Sequence, residues 1–476
     1  MRLGRGHMAF VFLGLAFARA WVALLFADPL SPGYGSGWGT SFFDIAYVGC
    51  ALAAIVGFRR VIPLTARRWP WMLSAALMTV ASVGFVADGW LGLGEGAAAV
   101  VSLTGGSGFL LYTLVNAEVL ATQALRSVIL YLSVGRILSW VLTFFFSDMG
   151  FDRVAVAAVA LPFVALAMTR AALDRVPERN RPLGTCPRFS MPWILLALMG
   201  VYSFVYGLHQ GTLAPGVGRY ASLFNAALAL LIVLLVLLAP GKLSFRVLCN
   251  VPAVFLACGF LLMSLEGALV GVVADMLIAL AFDVAKITVV FLFYDMSRRL
   301  GISIVVLSAS LAAVEVFGLA GNGVAFLLAQ AEAGAAAGTL AHAVIIALAF
   351  AVGVMALTRR DAFSDWGARL TDPDEDGEDA GVPNEAIAER CERMADQWGL
   401  TAREREVLGL VAQGLTSRQV QDALFIAEGT FKTHMRHIYE KSGVRGQKQL
   451  RLLLQRETGL AADEDRAPAP SSPARH

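Results

Sequence analysis

The chain has 476 residues, 57% of them hydrophobic and only 16% charged, with a mean hydropathy of +0.67 and a net charge of +2. Ordinary soluble domains are about a quarter charged, so a water-soluble enzyme is excluded as a description of most of this chain, which must lie in lipid. The small net charge hides an asymmetry: residues 1–360 carry 23 Lys and Arg against 15 Asp and Glu, residues 361–396 carry 3 against 12, and residues 397–456 carry 10 against 5. That sequence of charges divides the chain into a membrane region (1–360), an acidic flexible linker (361–396), a basic module (397–456) and a short disordered tail (457–476).

Apolar windows bounded by Gly, Pro and charge predict twelve spans, near 8–27, 41–58, 70–88, 97–117, 127–147, 152–170, 191–209, 220–239, 247–265, 268–294, 302–321 and 335–357. The first follows a basic start (Arg2, Arg5) but is longer than a secretory apolar segment and lacks an A-x-A site, so it reads as a retained span. Loop charges support the count. Arg59, Arg60, Arg67 and Arg68 fill the second connection, Arg126 the fourth, and Arg170, Arg175, Arg179, Arg181 and Arg188 the sixth. Lys242 and Arg246 fill the eighth, Arg298 and Arg299 the tenth, and the opposite side has only Arg153 and Arg219. Positive charge marks the cytoplasmic side, so both termini are expected there. Cys50, Cys186, Cys249, Cys258 and Cys391 show no C-x-x-C spacing and read as small buried apolar groups.

Ionisable side chains inside these spans are costly and normally face a partner or a wet cavity. They are Arg19, Asp44, Arg136, Asp275, Asp283, Lys286 and Glu315. Asp275, Asp283 and Lys286 fall within an arc of roughly 80° of one helix, a face that cannot meet lipid. Two readings stand side by side. In one, the charges form internal pairs, Asp283 with Lys286 and Arg19 with Asp44. In the other, they line a cavity for an unidentified small molecule, with Arg136 and Lys286 anchoring a carboxylate or phenolate, helped by Arg19, Asp283 and Glu315 and walled by Tyr112, Asn116 and Trp140. His209 and His342 read as loop-end or core histidines.

Twelve spans divided by a basic central connection into two halves of six resemble the architecture of major facilitator transporters. The loop motif of that family, an acidic residue among glycines and basic residues between helices two and three, is poorly met by Gly57-Phe58-Arg59-Arg60-Val61-Ile62-Pro63. After the spans, the acidic, Gly/Pro-punctuated run from Asp361 to Asp379 reads as a self-repelling tether. Residues 384–398 place Ile387, Cys391, Met394 and Trp398 at helical spacing and predict a helix leading into the module.

The module should fold in water as four helices. Thr401 with Glu404 forms a capping box for the first, whose apolar face runs through Val407, Leu408, Leu410 and Val411 until Gly414. Thr416 with Gln419 repeats the cap for a short second helix ending near Leu424, a third helix is predicted over 428–441, and a fourth follows Gly446. Lys432, His434, Arg436, His437 and Lys441 on the third helix describe a helix-turn-helix whose later helix enters the major groove.

The stretch 400–450, with its L-T-A-R-E-R-E-V-L start, A-Q-G-L middle and G-T-F-K-T-H helix, resembles the LuxR-type (GerE-like) DNA-binding domain. The resemblance implies base contacts from Lys432, Thr433 and Arg436, backbone contacts from Thr430 and Lys441, and a DNA-bound homodimer paired through the fourth helix. Glu404 reads as a cap and internal salt-bridge residue. The chain departs from the family pattern at Gln421, Ala427, Phe431 and Ser442.

An all-α chain with a membrane helical bundle and a C-terminal LuxR-type domain resembles the membrane-embedded LuxR-type regulators of gut actinobacteria of the Eggerthella kind. The implied function is a one-component transcriptional regulator in the cytoplasmic membrane, with promoter DNA, the lipid bilayer, a small-molecule ligand and RNA polymerase as partners and no cofactor or metal. The alternative is a transporter carrying a regulatory or vestigial helix-turn-helix. No nucleophile–base set, metal cluster or phosphate loop is seen in the sequence, so no enzyme is expected.

Overall fold

The computed structural model describes residues 10–26, 37–57, 61–147, 149–177, 181, 191–210, 217–238, 245–263, 268–300, 302–330, 384–412, 420–421, 424, 426, 428–444 and 450. All regular elements among these residues are helical. The chain divides into two compact units, one over the membrane helices and one from Asp379 onward.

In the membrane unit a short 3-10 turn (Phe10–Leu13) leads into α1 (Gly14–Leu25), followed by α2 (Gly37–Gly57), α3 (Arg68–Leu91), α4 (Glu95–Ala121), α5 (Leu125–Ser147) and α6 (Phe151–Arg175). The second half contains α7 (Trp193–Gln210), α8 (Val217–Leu238), α9 (Phe245–Met263), α10 (Ala268–Leu300), α11 (Ile304–Ala313) and α12 (Val316–Gln330). Eleven predicted spans are therefore present as helices, and the twelfth, 335–357, lies outside the described residues. Several helices outrun their apolar windows because polar residues at their ends continue the backbone ladder; α4 and α10 extend past the predicted 117 and 294. The predicted eleventh span is two helices, α11 and α12, divided by a turn at Val314 and Glu315.

The surface pattern is inverted relative to a protein in water. Val56, Leu238, Val156 and Leu261 are at least 70% exposed, while charged side chains sit among the helices. Six described helical stretches are long and apolar enough to cross a membrane. Hydrophobic burial cannot hold such helices together in lipid, so close packing and buried hydrogen bonds do so. The first half is tied this way: Trp21 Nε1 donates to Ser82 Oγ at 2.9 Å, and Ser82 Oγ donates to the Ala158 carbonyl at 2.7 Å, joining α1, α3 and α6. Small residues permit backbone contact, as where Gly106 of α4 lies against the Phe43 carbonyl of α2 and Gly207 of α7 against Gly318 of α12.

Within each half the helices pack chiefly among themselves, α1 with α5 and α6, α3 with α4, α7 with α12, and α9 with α10. Two main seams join the halves, α5 with α8 and α2 with α11. They are equivalent under exchange of the halves, because each pairs the second helix of one half with the fifth of the other.

The second unit has its own core. Helix α13 (Asn384–Gln397) supplies Cys391, Met394 and Ala395, α14 (Ala402–Ala412) supplies Val407, Leu408 and Val411, and α15 (Glu428–Ser442) supplies Phe431, Met435 and Ile438. The lead-in helix thus packs into the module itself and is fastened to α14 by Arg405, which meets Glu392 at 3.0 Å and Asp396 at 2.5 Å. The second helix, with Thr416 and Gln419, and the fourth lie outside the described residues apart from Val420, Gln421, Leu424 and Leu450, of which Val420 and Leu450 are fully buried.

Candidate functional site

The charges of the membrane unit converge on α10. Between Ala281 and Met296 every α10 residue is buried except Asp283, Lys286 and Val290, spaced three and four apart on one face. A partly exposed polar stripe on an otherwise buried helix is expected to face partner side chains rather than lipid. Asp283 Oδ1 lies 3.5 Å from Arg136 of α5, an ion pair that crosses between the halves. Lys286 Nζ donates to Glu315 at 2.5 Å, and Ser203 of α7 donates to the other oxygen of Glu315 at 3.3 Å. Glu315 occupies the turn immediately before α12, where the helix N-terminus favours a carboxylate. Further along α10, Asp275 Oδ1 sits 3.1 Å from Nε2 of the buried His209 on α7.

The sequence puts Asp283 and Lys286 on one face, and one of its two readings pairs them with each other; packing gives each a partner on a different helix. Arg19 and Asp44 form no ion pair with each other. Arg19 instead lies within electrostatic range of Arg136, Asp283, Tyr47 and Tyr294, and Asp44 within range of Lys286 and Glu315. Arg19 also lines a small recess with Phe12, Ala16, Leu120, Tyr131 and Gly135.

Tyr112 and Asn116 of α4 make their hydrogen bonds with α6. Tyr112 is fully buried, its hydroxyl 2.9 Å from Thr169 Oγ1, which donates in turn to Asn116 Oδ1 at 3.3 Å, so both act in the α4–α6 seam. Trp140 is half-buried and stacks on the exposed ring of Phe144. Sequence reasoning missed Glu118 and Asp295, both buried, each just beyond the end of a predicted apolar window. Glu118 accepts the backbone N–H groups of Leu64 and Thr65 at 3.0 and 2.8 Å, so α4 holds the connection between α2 and α3. An acidic residue does serve that connection, but it comes from a neighbouring helix.

In the second unit the apolar positions of α15 turn inward, which leaves Thr430, Lys432, Thr433 and Arg436 exposed. Lys432 and Arg436 are one turn apart on that outer face, and Arg436 lies 3.8 Å from Glu440. Thr433 Oγ1 donates to the Gly429 carbonyl at 2.9 Å. Phe431, larger than the family pattern prescribes, is accommodated in the core at 6% exposure. The capping box forms as the sequence predicts: Thr401 N–H donates to Glu404 Oε2 at 2.9 Å and Glu404 N–H to Thr401 Oγ1 at 3.4 Å.

Lys441, which the resemblance places at a DNA-backbone contact, is exposed and is also tied within the unit. Its ammonium donates to Glu404 Oε2 at 2.7 Å and to the Gly399 carbonyl at 3.2 Å, compensating a carboxylate that is only 3% exposed. His437 Nδ1 lies 3.2 Å from the other Glu404 oxygen. Burial by itself would raise the Glu404 carboxyl, but the hydrogen bonds from Lys441 and Thr401 outweigh it and hold the group at about 2.

Comparison with known proteins agrees with both halves of this description. Residues 399–454 match the family model "Bacterial regulatory proteins, luxR family". Over 51 residues the chain is 41% identical to the DNA-binding transcriptional activator DevR/DosR of Mycobacterium tuberculosis (strain ATCC 25618 / H37Rv), which is 11% of this chain and 24% of that protein. It is also 41% identical over 59 residues to an HTH-type transcriptional regulator of Mycobacterium bovis, 12% of this chain and 7% of the relative. The match thus spans under a quarter of the length of either relative. The fold resembles the crystal structure of a bacterial homologue of the iron transporter ferroportin in its outward-facing state, with a TM-score of 0.54 and 14% identity over 78% of this chain and all of the other. The protein thus joins a helical region with the fold of that transporter structure to a C-terminal LuxR-type helix-turn-helix domain.

Proposed function

We propose that this chain is a membrane-embedded one-component transcriptional regulator. The membrane unit binds a small molecule among its internal charges, Arg19, Arg136, Asp283, Lys286 and Glu315, and the second unit binds promoter DNA through Lys432 and Arg436, with Thr430, Thr433 and Lys441 beside them. The observation that carries the reading is the fusion itself: a LuxR-type domain with an outward-facing cationic stripe follows a membrane unit whose charges lie inside. Both termini are cytoplasmic, the DNA-bound form is a homodimer, and RNA polymerase is the downstream partner. Ligand acts by favouring one arrangement of the two halves, which requires different affinity for the two arrangements; the Arg136–Asp283 pair is placed to report that change because it joins them.

The test is control of a promoter beside the protein's own gene by the intact chain and by a Lys432→Ala, Arg436→Ala double variant. Loss of control in the double variant supports the regulator. A second reading, a transporter with an attached helix-turn-helix, is favoured by the transporter fold of the first unit. Unchanged transcription in the double variant, together with solute uptake in sealed vesicles that Arg136→Ala or Lys286→Ala abolishes, would establish it instead.

A further inference from the structure

The outer surface of the first half ends in a cluster of cations between α3 and α6. On α6 the exposed positions Val156, Ala160, Phe163, Ala167 and Arg170 recur every three or four residues and form one stripe. On α3 the exposed positions Trp69, Met72, Ala76, Val80 and Val83 form another. Exposed apolar side chains on a membrane helix meet acyl chains, so both stripes mark surface that lipid covers. Both run into basic residues at the same end, Arg170 on α6 and Arg67 and Arg68 at the start of α3.

Contacts between the two helices hold those ends together. The guanidinium carbon of Arg170 lies 5.9 Å from the centre of the Trp71 ring, within cation–π range. Trp71 Nε1 in turn donates to the Thr65 carbonyl at 3.3 Å. Glu118 fixes the same connection by accepting the N–H groups of Leu64 and Thr65, and the Arg67 N–H donates to the Leu64 carbonyl at 3.1 Å. The arginines are therefore presented on a held frame.

The cluster is poor in compensating charge. Arg67, Arg68, Arg170 and Arg175 are all exposed. Arg170 has Asp174 at 3.4 Å, but both side chains are more than half exposed, and a surface pair one turn apart is weak. Arg67, Arg68 and Arg175 make no ion pair with a described residue. A soluble anion would satisfy the arginines and make no use of the apolar stripes that lead to them. A phospholipid brings both parts, a phosphate at the depth where Trp69 marks the interface and acyl chains below it.

From this arrangement we infer that the α3–α6 edge binds an anionic phospholipid, with its phosphate among Arg67, Arg68 and Arg170 and its chains along the two stripes. The inference goes beyond the proposed function and holds for a sensor and for a transporter alike.

The experiment is a lipid titration of the detergent-solubilised full-length protein, read as unfolding temperature and, by native mass spectrometry, as bound lipid. The probes are phosphatidylglycerol, phosphatidylcholine with the same acyl chains, and inorganic phosphate. Phosphatidylglycerol is expected to bind about tenfold or more tightly than phosphatidylcholine. An Arg68→Gln, Arg170→Gln double variant is expected to lose most of that preference, and Arg68→Lys, Arg170→Lys to keep it. Arg298→Gln, which removes an exposed cation at the end of α10, is expected to leave it unchanged. The readout is a ratio between two lipids, which poor folding by itself does not alter. Equal binding of the two lipids, an undiminished preference in the double glutamine variant, or the same loss in Arg298→Gln overturns the inference. Full displacement of phosphatidylglycerol by millimolar inorganic phosphate also overturns it, because the site would then take a free anion. None of these readouts depends on DNA or on the small molecule, so failure here is distinct from failure of the promoter test.

Discussion

Glu404 shows how one side chain can serve several structural needs. It closes the capping box of α14 and takes the ammonium of Lys441, with His437 against its second oxygen. Its carboxyl is held at about 2, below the usual carboxylate value, so the folded state favours the ionised form. Its contribution to stability is complete above the ordinary carboxylate pKa of about 4.5 and disappears as pH falls from there through about 2. Glu404→Gln is expected to destabilise the second unit by about 2 kcal/mol at pH 7. Circular dichroism of the fragment 379–476 between pH 7 and pH 2 checks both statements: the variant should start less stable and lose less on acidification. The capping box was legible because it is a local pattern of four residues. The commitment of Lys441 was not, because its partner is 37 positions away and meets it only when α14 and α15 pack.

At the level of elements, the membrane helices were legible from apolar windows and loop charge, whereas their seams depend on small residues whose importance appears only in the packing. A Cβ on Gly207 would come 2.0 Å from the Gly318 carbonyl oxygen, and one on Gly106 would come 2.3 Å from that of Phe43. Both neighbours are backbone and cannot rotate away. Gly207→Ala and Gly106→Ala are each expected to cost about 1–3 kcal/mol, seen as a lower unfolding temperature of the detergent-solubilised protein. Gly271→Ala is the control, since a Cβ there meets nothing within 4 Å. Equal behaviour of all three would mean that the α7–α12 and α2–α4 contacts are looser than described. Helix ends were also only partly legible: windows of pure apolarity stop before Glu118 and Asp295, because a buried acid at a helix end looks like the start of a loop.

For the whole molecule, orientation decides whether the proposed function is available at all, since the second unit can meet DNA only from the cytoplasm. The bias of Lys and Arg toward one set of connections predicts that alkaline phosphatase fused after His476 is inactive and a fluorescent protein fused there is bright. Active phosphatase would remove the regulator reading outright. The sequence by itself determined the division into a membrane region and a LuxR-type module, the helical class of both, and which residues of α15 face outward. Apolar run length, helical period and capping depend only on neighbours along the chain. The tertiary structure decided which polar groups meet: Asp283 with Arg136, Lys286 with Glu315, Lys441 with Glu404, and Tyr112 and Asn116 in the α4–α6 seam. Those choices depend on which helices approach one another, and a buried charge takes whatever partner packing brings within a few ångströms of it.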